Sequence, residues 1–326
     1  MVNLPTPLII LLAFVLDLLF ADPQVRWHPV RVIGQVAEFF CRFFYSLGRL
    51  GGLLTLLFTS IVFVGGVSFT VCLFPPLEIL WLYFFIAPTS LQKEVLKVAE
   101  ALQENISLAR KRLSFLVGRE TKNLDTSQCV RAAVETLAEN FTDALVGPLF
   151  WYMVGGIYGV AFYKVCETLD SMYGYKTKKW LRFGYFSAKF DDILNFLPAR
   201  LAGLFIVLAS GLTGQNLWRA FRTMLADAHK HDSPNSGYTE AAMAGALGIE
   251  LGGPVVYQGQ FFEKERFGKP LREREVSDIF LAGKIIRLAT FLIVATIVFL
   301  EVFLWKLGYP NLIELIMNEL KGALIT

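Results

Sequence analysis

Four polar stretches carry nearly all the side chains that could do chemistry. The richest is "ETLDSMYGYKTKKWLRFGYFSAKFDDILNFLPAR" at 167–200. Asp170, the pair Asp191 and Asp192, and Asn195 supply oxygen acceptors, while Lys176, Arg182, Lys189 and Arg200 supply donors. Carboxylates beside Lys and Arg are what a metal-bound polyphosphate needs: oxygens to hold the ion and cations to spread phosphate charge. On a helix, Asp191 and Asn195 stand one turn apart. A solvated charged face is the competing reading, and apolar flanks on both sides weigh against it. In "ENFTDALVGPLFW" at 139–151, a continuous helix would put Glu139 and Asp143 on one face with Asn140 adjacent. Oxygen ligands so placed suit Mg²⁺, which takes one or two carboxylates and completes its shell with water and substrate phosphates; a solvated helix end is the alternative.

Two further stretches are shaped by proline. "FADPQVRWHPVRVIG" at 20–34 has two X-Pro steps that hold the backbone extended and gather Asp22, His28 and Arg31, either as a site or as an interfacial Trp-Arg anchor. "DAHKHDSPNSGYTEAAMAGALG" at 227–248 opens on a Pro-Asn-Ser-Gly turn, where Ser236 or Thr239 can cap the following helix and leave N–H groups facing an anion. The Ala- and Gly-rich helix beyond lets another backbone approach closely. His229 and His231, two residues apart, would diverge on a helix, so a phosphate or carboxylate cradle fits better than zinc.

The elements that must position these groups lie in a bilayer. A mean hydropathy of +0.51, with 55% hydrophobic and 14% aromatic residues in 326, is too apolar for a soluble chain of this length. Segments 5–20, 51–74 and 285–305 read as membrane helices, whereas 77–87, 145–163 and 197–213 are short or Gly-rich and stay ambiguous between spanning and embedded helices. Residues 5–20 lack the basic start and small-residue cleavage site of a signal peptide, so they read as an uncleaved first membrane segment. Asp17 and Glu301 fall inside apolar runs, where a central carboxylate costs about 2.5–3.5 kcal/mol; Glu301 reads as a helix-end residue, and Asp17 as facing protein or an interface. Between these runs, Leu96, Ala99, Ile106, Ala109 and Leu113 recur at helical spacing, and Asp125 with Gln128 reads as a capping box opening a helix to about Asn140. No segment reads as a β domain. The expected fold is an all-α polytopic membrane protein: one membrane-embedded domain over 1–326, a helical bundle with re-entrant or embedded segments and helical cytoplasmic loops.

Several functions are excluded. A net charge of +3 spread over every polar segment leaves no nucleic-acid footprint. Cys41, Cys72, Cys129 and Cys166 are far apart and form neither a disulfide framework nor a zinc site. The phosphate-loop pattern G-x-x-x-x-G-K-[ST], the zinc motif H-E-x-x-H and the nucleophile motif G-x-S-x-G are absent from the sequence.

Taken in order, "ADPQVRWHPVRVIG", "ENFTDALVGPLFW", "TLDSMYGYK", "FSAKFDDILNFLPAR" and "SPNSGYTEAAMAGALGIELGGPVVYQG" resemble the CobD/CbiB family, the adenosylcobinamide-phosphate synthases of cobalamin biosynthesis. The resemblance runs from about residue 12 to 300 and is weak over 91–126 and after 305. Lys189 stands where the pattern has Arg, Ala144-Leu145 replaces Gly-Val, and Asp232 replaces Pro; no motif acid or amide is lost.

The resemblance implies a membrane-bound, ATP- and Mg²⁺-dependent amide ligase. It would join adenosylcobyric acid, a corrinoid, to (R)-1-amino-2-propanol or its O-phosphate. Asp143, Asp170, Asp191 and Asp192 would be the acid/base groups, with Asp143, Asp191 and Asp192 on the metal and Asn140 and Asn195 supporting them. Lys176, Arg182, Lys189 and Arg200 would hold phosphate oxygens, His28 and Arg31 the aminopropanol phosphate, and Ser233, Asn235 and Ser236 an anion nest. Because ATP is cytoplasmic, the motifs are expected on the cytoplasmic face of the inner membrane, with 145–163 and 197–213 re-entrant or embedded. Other cobalamin-pathway enzymes are expected partners in handing over the corrinoid, alongside membrane lipid. Two other classes share such a scaffold. A corrinoid permease would line midplane helices with charge. A noncatalytic sensor resembling the AmpE proteins would have no need of the full set of motif acids.

Overall fold

A computed structural model describes residues 4–308 apart from Gln24 and Gln258; these two fall in the first and last motif stretches, and the tail from 309 lies outside the description. The chain is mostly helical. It begins with α1 (Thr6–Phe20), α2 (Pro29–Phe44), α3 (Arg49–Leu73) and the short α4 (Leu77–Phe85). Next come α5 (Pro88–Glu104), α6 (Ile106–Leu113) and α7 (Thr126–Phe141), a π-helical segment Thr142–Val146, and α8 (Gly147–Tyr173). After α9 (Tyr185–Leu194), α10 (Phe196–Leu212), α11 (Leu217–Asp227) and α12 (Ser236–Leu247), the chain forms four short strands and closes on α13 (Ser277–Lys306). The strands β1 (Leu251–Gly252) and β4 (Arg266–Phe267) pair antiparallel, as do β2 (Val255–Tyr257) and β3 (Gln260–Phe262). These small ribbons are the one departure from an all-α chain.

Local sequence explains the helix limits. Asp125 and Gln128 form the expected capping box of α7, each side chain bonded to the other's backbone N–H. The helical pattern over 96–113 is cut at Asn105, whose side chain accepts from Ser107 N at 2.7 Å and starts α6 afresh. Within α8, Gly156 adopts φ 55°, ψ −152°, which breaks the helix in the middle of the apolar stretch 145–163. No side chain crowds that position; the constraint is conformational, since only glycine reaches this region without penalty.

The chain packs as two compact units. The first comprises residues up to Ala87, Gly147–Leu194 and those from Val294 onward. Its core is built from Leu56, Phe63 and Val67 of α3, Leu82 and Phe85 of α4, and Val160 and Tyr163 of α8, all buried. The second comprises Pro88–Val146 and Asn195–Ile293. Here α10, α11 and α12 pack closely because Ala241, Ala242, Ala244 and Ala246 present little more than backbone.

Among the described residues, three helical stretches are long and apolar enough to cross a membrane: Arg49–Leu73, Thr126–Tyr173 and Ser277–Lys306. Their most apolar windows in α3 and α13 are only 28% and 39% buried, and residues such as Ile61, Phe69 and Phe299 stand exposed. Contiguous exposed apolar surface of this kind belongs against lipid. Helix α1 is shorter, and the stretch containing α9 and α10 is interrupted at Asn195, consistent with a broken or re-entrant span. Asp17 is fully buried against protein. Glu301 is not a solvated helix end: it is 0% exposed, and neither carboxyl oxygen has a hydrogen-bond partner among the described residues.

Candidate functional site

Three of the motif stretches meet in the second unit. Asn195, buried at the interruption before α10, donates from Nδ2 to Asp143 Oδ1 at 3.1 Å. Ser236, the first residue of α12, donates its hydroxyl to Glu139 Oε1 at 3.0 Å. Arg200 lies over the Phe196 ring at 3.5 Å and the Tyr238 ring at 4.3 Å, tying α10 to α12; it also donates to Phe196 O at 2.5 Å. Residues 52 and 97 positions apart in sequence are thus hydrogen-bonded to one another.

The α-helical ladder ends at Phe141 and a π segment follows; Glu139 and Asp143, four residues apart across this junction, take different partners, Ser236 and Asn195. Such bulges are rare and concentrate at functional sites. Asn140 turns its amide back onto Thr136 O and Oγ1, at 2.8 and 2.9 Å. The loop before α12 also differs from expectation. Ser233, rather than Ser236 or Thr239, covers the helix start: its Oγ accepts from Asn235 N at 3.2 Å and Ser236 N at 3.4 Å. Ser233 N in turn donates to His231 Nδ1 at 2.9 Å. The N–H groups expected to face an anion are therefore engaged within the loop.

Beside this junction lies an enclosed cleft of about 110 Å³, lined among others by Arg119, Glu139, Lys230, His231, Glu240 and Lys264. Glu135 of α7 forms its back wall, 2.6 Å from Arg119 Nη1, and accepts from Gly252 N at 2.6 Å. Arg131, one turn earlier, donates to Gly252 O at 2.6 Å and Pro254 O at 2.7 Å. Together they pin the strand segment to α7. Burial opposes charge on Arg119, and the Glu135 carboxylate more than offsets that, so the guanidinium stays firmly cationic.

Glu240 of α12 is 4% exposed and accepts no hydrogen bond among the described residues; His231 Nε2 lies 3.5 Å away, and the charges of Arg119 and Lys264 also reach it. Burial, reinforced by Glu135 and Glu139, pushes its carboxyl well above the ordinary range. Burial likewise depresses the His231 imidazole. Both shifts favour the neutral forms of the pair, and Ser233 N donates to His231 Nδ1. A more open recess of about 620 Å³ shares Arg119 and is lined by Arg110, Lys111 and Lys122.

The remaining predicted residues sit in the first unit. Asp170 of α8 has Asp192 and Glu167 as like-charged neighbours, and Lys189 lies 3.5 Å from Asp192. Asp191 lies near the Cys166 thiol. Asp170 folds over Gly174 so closely that a Cβ there would stand 1.9 Å from its Oδ1. Lys176, Arg182 and Lys189 are exposed. His28 caps α2: Nδ1 accepts from Val30 N at 3.3 Å and Nε2 lies 2.7 Å from Asp22 Oδ1. Both ring nitrogens thus hold the proline-shaped turn, with Arg31 exposed beyond.

Among the described residues, no three His, Cys, Asp or Glu side chains are placed to cage a metal ion. Neighbouring carboxylates such as Asp170 and Asp192 instead suit a hard ion that takes one or two protein oxygens and draws the rest from water and phosphate, as Mg²⁺ does. Sequence reasoning passed over Arg119, Glu135 and Glu240, and set His231 aside as half of a poor zinc pair.

The family described as CobD/CbiB protein matches residues 10–286. The chain is 39% identical over 296 residues to cobalamin biosynthesis protein CobD of Clostridium perfringens, covering 87% of this chain and 94% of the relative. It is 43% identical over 276 residues to the protein of the same name from Geobacter metallireducens, covering 81% and 87%. The corresponding Leptospira interrogans protein is 39% identical over 297 residues, covering 87% and 94%. No solved structure matches significantly. With the motif stretches in order and coverage this complete on both sides, the chain belongs to the CobD/CbiB family.

Proposed function

We propose that this protein is an ATP- and Mg²⁺-dependent amide ligase of cobalamin biosynthesis. It joins a propionate carboxyl of adenosylcobyric acid to (R)-1-amino-2-propanol or its O-phosphate, giving adenosylcobinamide or its phosphate. It works in the cytoplasmic membrane with its polar cleft toward the cytoplasm. Making an amide from a carboxylate requires an oxygen to become a leaving group, and ATP with Mg²⁺ supplies the phosphoryl group for that purpose. The carboxylate and ATP give an acyl phosphate and ADP; the neutral amine then forms the C–N bond as the C–O bond to phosphate breaks, releasing phosphate and a proton.

The observation that carries this reading is the hydrogen-bonded convergence of Glu139, Asp143, Asn195 and Ser236 from three separated motifs beside a charged cleft. In the second unit, Asp143 with Asn140 and Asn195 is proposed for metal and acid–base work, and Arg200 and the basic recess around Arg110, Lys111 and Lys122 for phosphate oxygens. In the first unit, Asp170, Asp191 and Asp192 are proposed for the former role and Lys176, Arg182 and Lys189 for the latter. The relatives' names, as cobalamin biosynthesis proteins, favour a corrinoid over other carboxylates.

The test uses detergent-purified protein with adenosylcobyric acid, ATP, Mg²⁺ and aminopropanol phosphate, followed by mass spectrometry. Amide and ADP are expected in equal amounts, and both are expected to vanish in Asp192→Ala. Corrinoid binding without ATP consumption would overturn the ligase reading in favour of a binding or transport protein.

A further inference from the structure

We propose that the enclosed cleft around Glu240 is the site of the small amine co-substrate, with the amine nitrogen between Glu139 and Glu240 and Glu240 taking its proton. This rests on the ligase reading above and deepens it. Four observations point to this occupant. At about 110 Å³ the cleft admits a molecule of a few heavy atoms and excludes a corrinoid or a nucleotide. Glu240 lines it, is 4% exposed and accepts no hydrogen bond among the described residues, so its carboxyl has a vacant place for a donor. Glu139 is oriented at the same cleft by the Ser236 hydroxyl. Arg119 is already matched by Glu135, and Lys230 by Asp227 at 2.6 Å, which leaves acids in excess toward the centre. Lys264, at the wall, gives a phosphorylated amine a partner for its opposite end.

The chemistry balances simply. An ammonium in solution cannot attack an acyl group; it has to lose one proton and keep its lone pair. Burial of Glu240 among carboxylates favours its neutral form, so the ion pair R–NH₃⁺/Glu240–COO⁻ passes to R–NH₂/Glu240–COOH. If the free cleft holds Glu240 protonated, binding releases one proton to bulk. His231, 3.5 Å away and fixed by Ser233, is a positioning residue for that carboxyl.

The decisive experiment titrates (R)-1-amino-2-propanol and its O-phosphate into the detergent-purified full chain by calorimetry in two buffers of different ionisation heat, without ATP or corrinoid. Wild type is expected to bind with proton release. Glu240→Gln is expected to lose the release and bind about tenfold or more weaker, the scale of a lost charge-assisted hydrogen bond; its KM for ATP and corrinoid should be unchanged. Equal amine affinity and proton release in Glu240→Gln, or no amine binding to the wild type, would overturn the proposal. Should Glu240→Gln not fold, Glu139→Gln tests the site by affinity: amine binding about tenfold weaker with proton release retained is expected, and unchanged amine affinity would overturn the proposal. Amine binding that depends on Glu240 in a protein that never forms amide would sink the ligase reading while leaving the amine site standing.

Discussion

Glu135→Gln isolates what a single charge contributes at the back of the cleft. The side chain is 3% exposed and meets Arg119 at 2.6 Å, Gly252 N at 2.6 Å and Arg131 Nε at 3.7 Å. Glutamine preserves the acceptor for Gly252 N–H but removes the charge facing two guanidiniums that are themselves largely buried. Removing one partner of a buried pair costs about 3–5 kcal/mol, because the other charge stays desolvated. The retained hydrogen bond to Gly252 places this variant near the lower end. At about 2–4 °C per kcal/mol for a folding unit of 150–250 residues, the midpoint should fall by about 6–12 °C. Thermal unfolding in detergent, followed by far-ultraviolet circular dichroism, measures it. Glu94→Gln is the control: its pair with Lys97 at 2.6 Å is about half exposed, and exposed pairs contribute about 0–1 kcal/mol. Raising the salt should shrink any effect of Glu94→Gln and leave the effect of Glu135→Gln in place. A Glu135→Gln midpoint no lower than that of the control would refute the reasoning that this network is a buried, tightly matched clamp.

Three further outcomes follow from particular contacts. Glu240 has a raised folded-state pKa, so its contribution to stability is fully present below the ordinary carboxylate pKa of about 4.3 and is lost as pH rises through the folded value. Glu240→Gln should therefore flatten the loss of melting temperature on the alkaline side. His231 is depressed, so its contribution is present above about 6.5 and lost as pH falls through its folded value; His231→Gln should flatten the acid side of the same profile. Gly174→Ala would place a methyl 1.9 Å from Asp170 Oδ1 and force that carboxylate aside, costing about 1–3 kcal/mol in a melting experiment. Asn195→Ala removes the donor to Asp143 and should lower amide formation while leaving the melting midpoint within about 1.5 kcal/mol of the parent's stability.

Much of the framework was legible because it rests on local rules. The Asp125–Gln128 capping box has a spacing that sequence displays openly, and it starts α7 where expected. The two firmest apolar runs, 51–74 and 285–305, appear as α3 and the later part of α13, and 5–20 as the shorter apolar helix α1. What stayed hidden depends on contacts that sequence does not encode locally. A π segment has no spacing signature, so the change of helix type at Thr142 could not be foreseen. Arg119 and Gly252 are brought to Glu135 from outside its own helix, one of them 117 positions away. Glu240 did leave a trace. It is the lone acid in a helix of Ala, Gly and Met, and a helix apolar all round is buried all round, so its carboxyl had to be interior. The strands were missed because Val255–Tyr257 and Gln260–Phe262 are short beside the surrounding helices, although Gly259 at φ 75° marks the turn between them.

The break at Gly156 bears on how this protein enters a membrane at all. It divides α8 into stretches of 147–155 and 157–173. The second, about 26 Å long as a helix, falls short of a hydrocarbon core of about 30 Å by itself, whereas the first runs on from α7 through the π segment without a gap. The freed backbone groups at the break have to be satisfied by protein, because lipid offers them no partner. The part of α8 beyond Gly156 thus depends on α3, α4 and α9, against which α8 packs, for its place, whereas α3 and α13 are long and apolar enough to span by themselves.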